Sequence, residues 1–133
     1  MCFKKLQQYH DQFYLVFRVL VGLMFFQHGA QKLLGWFGAE ATVPLFSLIG
    51  LAGLLELVGG LVIAAGLFTR LAALVLGIEM LVAYFRVHAS NGFAPIVNQG
   101  ELALMFFAAF IILMMHGGQK WTLEKALFKK ERF

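Results

Sequence analysis

The sequence predicts an all-α integral membrane protein, a four-helix bundle with both termini in the cytoplasm and a short interfacial helix near the C-terminus. Residues of the AVILMFWYC class make up 61 % of the 133 residues, and only 14 % are charged, against about 25 % in soluble domains. A chain this small lacks the polar residues to face water. Its apolar residues also form four runs separated by turn signals. These observations exclude a soluble enzyme, a disordered tail and a disulfide scaffold, and they favour one domain over residues 1–133.

Each apolar run predicts one helix. Residues 13–34 form the first; as a helix they measure about 33 Å, which matches a hydrocarbon core of about 30 Å. The second, over residues 44–68, is long enough to cross the bilayer with some tilt. Only two polar residues separate it from the third, over 71–88, so these two helices form a tight hairpin. The fourth covers 101–116. Because the last two are short, hydropathy alone could make them re-entrant.

The basic residues predict the orientation. With four crossings, eight of the 11 basic residues fall on the side of the two termini and the turn between the second and third helices. The positive-inside rule then places both termini in the cytoplasm and the protein in the plasma membrane. The eight are Lys4, Lys5, Arg70, Lys120, Lys125, Lys129, Lys130 and Arg132. Because they flank apolar runs, the net charge of +4 indicates contact with anionic lipid headgroups and not with nucleic acid.

The C-terminal tail, residues 121–130, is predicted to form an amphipathic helix with Thr122 as its N-cap. Two leucines four residues apart share one face, and two lysines four residues apart share another. Such a helix would lie on the inner leaflet, although a solvated tail also fits the pattern.

One stripe of the first helix carries small and charged residues. Arg18, Gly22, Phe25, Gly29 and Lys32 follow each other at steps of four, three, four and three, which places them on one face. Glycines on a membrane helix let two backbones approach closely. The stripe therefore predicts a face packed against protein. For the two basic residues taken singly, snorkelling to the membrane surface is the alternative.

Two glutamates fall near the middle of apolar runs, where an ionised carboxylate costs several kcal/mol unless it is paired or neutralised. Glu56 lies in the second helix, one turn from Gly60 on a small-residue face, and Glu79 lies in the third. A proton relay or a ligand anchor is the functional interpretation. The structural interpretation is a pair of protonated side chains that hydrogen-bond between helices. A salt bridge from Arg18 to Glu56 is a third option.

The remaining polar residues converge on the outer side of the predicted topology and suggest a ligand-binding vestibule above the two glutamates. They are His28, Lys32, Arg86, His88, Asn98 and Glu101. The spacing of Asn98 and Glu101 is also that of a capping box at the start of the fourth helix. The two histidines have no recognised metal-ligand spacing. With Cys2 as the only cysteine, no metal site and no dithiol centre are predicted.

Six short sequence blocks follow one another along the chain in a specific order and spacing. They are His28-Gly29-x-x-Lys32-x-x-Gly35, Glu56-x-x-Gly59-Gly60, Gly66-Leu67-Phe68-Thr69-Arg70, Glu79-Met80-x-x-Ala83-Tyr84 with His88, Pro95-x-x-Asn98-x-Gly100-Glu101, and Gly117-Gly118-x-x-Trp121-Thr122-Leu123-Glu124. Together, from Arg18 to Glu124, they resemble the DoxX family. Thr122 and Glu124 stand where Ser and Asp are more usual in that family, which is a conservative difference.

The resemblance implies a single four-helix membrane domain over 1–133. It also implies association with redox systems, because the family is named from a terminal quinol oxidase or thiosulfate:quinone oxidoreductase, and some members belong to oxidoreductase assemblies that protect against oxidative stress. The sequence shows no flavin, haem or metal motif, so the cofactor is unknown and a quinone is the candidate. We therefore expect a membrane subunit of a quinone-linked redox system in contact with lipid, with oxidoreductase subunits or a second copy as partners. The alternatives are a small permeation protein for protons, ions or solutes, and a non-catalytic assembly partner.

Overall fold

A computed structural model describes the backbone of residues 2–131 and the side chains of residues 5–131. All of its regular structure is helical, and no strand occurs within residues 2–131, so the all-α prediction is confirmed for this range. Of the basic residues that predict the orientation, Arg132 and the side chain of Lys4 lie outside the described residues. The helices are α1 Cys2–Gln7, α2 His10–Leu34, α3 Leu48–Ala65, α4 Thr69–Ala83, α5 Pro95–Asn98, α6 Glu101–His116 and α7 Leu123–Phe128.

Three helical stretches are long and apolar enough to cross a membrane. They are α2, α3 and the stretch Thr69–Asn91, in which α4 continues through a π-helical turn at Tyr84–His88 and a 3₁₀ turn at Ala89–Asn91. The fourth apolar helix, α6, has 16 residues and is shorter than these spans. The structure thus has three candidate spans and one shorter apolar helix, where the sequence predicts four spans.

The four apolar helices pack as two pairs. α2 lies along α3 and α4 lies along α6, and the pairs are joined mainly where α3 meets α4. Aromatic residues also connect α2 to α6, since the ring of Phe25 meets that of Phe110 edge-on at 4.9 Å between centroids. Both rings are almost fully buried, whereas large apolar side chains cover much of the outer surface. An apolar exterior around a packed interior is typical of a protein whose solvent is lipid.

The helix boundaries differ from the sequence prediction mainly in the second helix. The predicted range 44–68 is too long at both ends, because α3 begins only after Ser47, whose side chain accepts a hydrogen bond from the Gly50 amide (3.0 Å). α3 ends at Ala65, because the next residue, Gly66, adopts a left-handed conformation with φ of 68°. Side-chain capping and a left-handed glycine are the usual start and stop of a helix.

The tail helix is shorter than its predicted range of 121–130, but its N-cap is confirmed. Thr122 accepts a hydrogen bond from the Lys125 amide at 3.2 Å, so α7 begins at Leu123. The predicted fourth helix, 101–116, has the same bounds as α6.

Candidate functional site

The glycines of the predicted stripe lie at the contact between α2 and α3. A Cβ atom added at Gly29 would come within 3.0 Å of the backbone of Leu57 and Gly53, and one added at Gly60 would meet the backbone of Gly22 as closely. At both positions only glycine permits the observed approach. The two helix backbones therefore touch, and side chains near the contact reach from one helix to the other.

Lys32 uses this proximity to form an ion pair with Glu56. Its ammonium group donates a hydrogen bond to Oε1 of the glutamate. The side chain of Glu56 is 5 % exposed, and that of Lys32 is 32 % exposed, so the lysine links a buried carboxylate to the surface of the helices. The second carboxylate oxygen of Glu56, Oε2, is buried without a hydrogen-bond partner among the described residues.

Glu79 adds a second carboxyl group from α4. Both of its carboxyl oxygens are buried, and neither has a hydrogen-bond partner in the described part of the chain. α3 and α4 form an antiparallel hairpin that packs closely where Gly59 faces Leu76. Glu56 and Glu79 each lie three residues from this contact, on the same side of it, so the two carboxyl groups lie at the same level of the hairpin. We call Lys32, Glu56 and Glu79 the buried trio. It joins three helices and contains two carboxyl groups for one ammonium.

The proposed salt bridge from Arg18 to Glu56 is wrong. Arg18 is 1 % exposed, but its guanidinium donates to the backbone carbonyls of Gly118 (2.5 Å) and Trp121 (2.9 Å) at the other end of the helices. The arginine lies near the start of α2, whereas Glu56 faces the end of that helix. Lys32 takes the place that this option assigned to Arg18.

Asn98 is at the centre of a second polar cluster, near the start of α6. Its Nδ2 donates to the Gly92 carbonyl (2.8 Å) and to the hydroxyl of Tyr84 (3.3 Å), and its Oδ1 accepts from the Gly100 amide (2.8 Å). The Asn98 carbonyl also contacts Nδ1 of His88 at 3.0 Å. This buried side chain therefore fixes the chain between the π turn and α6.

The prediction that Asn98 caps α6 is wrong. Gly100 is the N-cap residue and makes no side-chain capping bond. Gln99 adopts a left-handed conformation, with φ of 60°, and this turn places the amide of Gly100 against the Asn98 side chain. The N-cap of α6 therefore lies two residues after Asn98, so Asn98 and Glu101 do not form a capping box.

The other predicted ligand residues lie apart from these clusters. The ring of His28, half-buried, meets that of Phe106 edge-on at 5.7 Å. Arg86 and Glu101 are exposed. The structure therefore brings Lys32 to the two glutamates and His88 to Asn98, and distributes the rest over the surrounding surface.

Two apolar cavities lie away from the predicted vestibule. One, of about 580 Å³, is lined by residues of α1, α2 and α6, including His10 and Tyr14. The other, of about 240 Å³, lies between α4 and α6. Neither is lined by a predicted site residue. Among the described side chains, those of residues 5–131, no three His, Cys, Asp or Glu side chains are grouped as a metal ion would require.

The sequence analysis missed the polar contacts that hold the end of α6, the segment after it and α7 to the other helices. Glu124 is fully buried and accepts a hydrogen bond from the Phe68 amide at 3.2 Å. The hydroxyl of Tyr14 donates to the Gly117 carbonyl at 2.7 Å, and Arg70 donates to the carbonyl of Met115 at 2.6 Å. The Gly117 to Glu124 block was the available signal for two of these contacts, because it contains both Gly117 and Glu124.

Comparisons with known proteins identify a family and several relatives. The DoxX family profile matches residues 13–89. An uncharacterized protein of Haemophilus influenzae is 37 % identical over 94 % of this chain and 98 % of its own length. A Bacillus subtilis protein named "Putative oxidoreductase CatD" is 28 % identical over 89 % of each chain. An uncharacterized membrane protein of Mycobacterium tuberculosis is 28 % identical over 85 % of this chain and 80 % of its own.

No solved structure matches the chain significantly. The family profile covers more than half of the chain, including all members of the buried trio, and the first relative named above matches almost end to end. The helices supply candidate membrane spans. The chain therefore belongs to the DoxX family of membrane proteins.

Proposed function

We propose that this protein is the membrane subunit of a quinone-linked redox system and that the buried trio handles its protons. The observation that carries the proposal is the trio itself: two carboxyl groups and one ammonium between apolar helices. Ionisable groups at membrane depth are costly and mark proton or ion pathways. Glu56 and Glu79 are the proton-handling groups in this proposal.

Quinone is the substrate in this scheme. Its reduction to quinol consumes two electrons and two protons. A chain with one cysteine has no dithiol to supply the electrons, so an oxidoreductase partner supplies them. The trio supplies protons to the quinone oxygens. In this proposal, Lys32, one-third exposed, and the half-buried His28 one turn before it bind the quinone headgroup as it enters from the lipid.

The name of the Bacillus subtilis relative supports a redox role, because it describes that protein as an oxidoreductase. The relative covers 89 % of this chain, so the helices that carry the trio lie within the range compared. A partner oxidoreductase and protection against oxidative stress belong to the same proposal.

The proposal includes four crossings of the plasma membrane, with both termini in the cytoplasm. At 16 residues, α6 measures about 24 Å, which is about 6 Å less than a hydrocarbon core. The segment before it supplies apolar surface at the same end: Phe93 is 97 % exposed, Ile96 75 % and Val97 68 %. Its polar groups are bonded internally through Asn98. Irregular backbone is tolerated at membrane depth only when it is satisfied in this way, so the segment completes the span of α6.

The test compares three variants in membranes that contain the partner oxidoreductase activity. We expect Glu56→Gln and Glu79→Gln to lower quinone reduction by at least about tenfold, since a positioned acid or base contributes about 10²- to 10⁴-fold. Glu101→Gln, which removes an exposed carboxylate on α6, should leave the rate unchanged. Equal rates for all three variants, together with purified protein that contains no quinone, would contradict the proposal.

A permeation pathway is the second candidate, and the unpartnered oxygens of Glu79 favour it, because they could accept a proton or cation in transit. Flux of protons into proteoliposomes that stops in Glu79→Gln and continues in Glu101→Gln would support permeation. An assembly role is the remaining outcome: the oxidoreductase would co-purify with both glutamate variants and keep its activity.

A further inference from the structure

We propose that the buried trio holds a single exchangeable proton and that Lys32 selects which glutamate carries it. The inference deepens the proposed function, on which it rests for its role, but its test measures protonation and not quinone chemistry. Lys32 acts in it as a positioning residue.

The first argument is charge balance. The ammonium of Lys32 bonds Oε1 of Glu56, and these two charges compensate each other. Glu79 is left with two buried oxygens and no hydrogen-bond partner among the described residues. A charge without a partner is strongly disfavoured in such surroundings, whereas a neutral carboxylic acid is tolerated. The resting trio therefore consists of an ammonium, the carboxylate of Glu56 and the neutral acid of Glu79.

The second argument is that the neighbouring helices supply no other compensating charge. On α2, the ionisable group beside Lys32 is His28, whose ring faces Phe106 of α6. α3 has no ionisable residue besides Glu56, and α6 has none between 102 and 115. Arg70, the other ionisable residue of α4, donates to backbone carbonyls at the C-terminal end of α6. In the π turn that continues α4, Arg86 is exposed and His88 contacts the Asn98 carbonyl. The balance therefore depends on the three members of the trio.

The third argument is that the geometry permits an exchange. Glu56 and Glu79 lie at the same level of the α3–α4 hairpin, each three residues from the close contact of Gly59 with Leu76, and Oε2 of Glu56 is buried with no hydrogen-bond partner in the described structure. No hydrogen bond joins the two carboxyl groups in this structure, so the exchange requires their side chains to rotate until Glu79 donates to Oε2 of Glu56. The O–H bond of Glu79 then breaks and an O–H bond forms on Glu56. The ammonium moves from Glu56 to the new carboxylate on Glu79. No electrons are transferred, and the trio is neutral before and after, so a proton passes between α3 and α4 without a buried net charge.

Infrared spectroscopy of the purified full-length protein in lipid nanodiscs at pH 7 tests the inference, with the C=O stretch of protonated carboxyl groups as the probe. We expect Glu79→Gln to reduce the intensity of this band by the contribution of one protonated carboxyl group. Glu56→Gln should lose the same amount, because Lys32 then pairs with Glu79 and ionises it. In Lys32→Met the trio should contribute twice its wild-type intensity to the band, because both glutamates are then protonated.

Glu101→Gln is the matched control and should leave the band unchanged. A band that survives Glu56→Gln but is lost in Glu79→Gln would overturn the role of Lys32. A band that survives both glutamate variants would overturn the single-proton site. If Lys32→Met does not fold, the two glutamate variants still decide the question. Because no quinone or partner is added, the band pattern can hold even if the quinone assay fails, so the two proposals fail separately.

Discussion

Replacing Gly29 by alanine should separate α2 from α3 and so disrupt the buried trio without changing any charge. The added Cβ would lie within 3.0 Å of backbone atoms of Leu57 and Gly53. Backbone in the middle of a helix cannot rotate aside as a side chain can, so the helices must move apart. Lys32, three residues further along α2, would be carried away from Glu56.

The magnitude follows from two opposing effects. Alanine is the better helix former by about 1 kcal/mol, while overpacking of a tight contact costs about 1–3 kcal/mol. Because three backbone atoms would be closer than 3.0 Å, the upper end of that cost applies. We expect Gly29→Ala to lower the free energy of unfolding by about 2 kcal/mol. Weakening of the Lys32 ion pair would add to this loss.

Gly77→Ala is the matched control, because a Cβ at that α4 position would find its nearest heavy atom at 3.6 Å, an ordinary contact. It should leave stability unchanged or raise it by up to about 1 kcal/mol. Unfolding of both variants by sodium dodecyl sulfate in mild detergent micelles, followed by far-UV circular dichroism, measures the difference. Equal stability of Gly29→Ala and Gly77→Ala would refute the close-contact reasoning.

Three further predictions concern the two ends of the helices. In Arg18→Lys, the lysine lacks the planar guanidinium that binds two carbonyl groups at once. The substitution should therefore lower the free energy of unfolding by about 1.5–3 kcal/mol and speed hydrogen exchange in residues 118–128; unchanged exchange would contradict this attachment. Asn98→Ala leaves buried polar groups unpaired in the α5 segment, residues 92–100, which should lower the free energy of unfolding by about 1–3 kcal/mol and make the segment sensitive to protease. Protease resistance equal to that of the wild type would argue that Asn98 does not hold this segment in place. In a background without Cys2, a membrane-impermeant maleimide should label Glu40→Cys but not Phe93→Cys in intact cells, and labelling of both would place the α5 segment outside the lipid.

The helices were predictable because their signal is local. Apolar runs of the right length and a threonine before the tail helix suffice to locate α2, α6 and the start of α7. The same locality explains the error at Asn98. Its spacing to Glu101 is that of a capping box, but the left-handed conformation of Gln99 depends on the tertiary contacts around it and not on the spacing.

The pairing of charged residues was predictable only in part. Lys32 and Glu56 each stand out as charges in apolar surroundings, but their contact depends on how two helices rotate and slide against each other. The glycine contacts set the register of α2 against α3. A single sequence shows that such a glycine face exists, but it does not show which helix packs against it. The burial of Glu124 was not predictable from its position in the amphipathic tail helix, because it depends on a contact with Phe68, 56 residues earlier.

The two helix pairs meet along a seam, and the buried trio lies across it. Lys32 and Glu56 belong to the α2–α3 pair, whereas Glu79 belongs to the α4–α6 pair. Any sliding of one pair against the other therefore changes the separation of the two carboxyl groups while the ion pair moves as a unit. Such a displacement would therefore change the electrostatic free energy of the proton that we propose at Glu56 and Glu79.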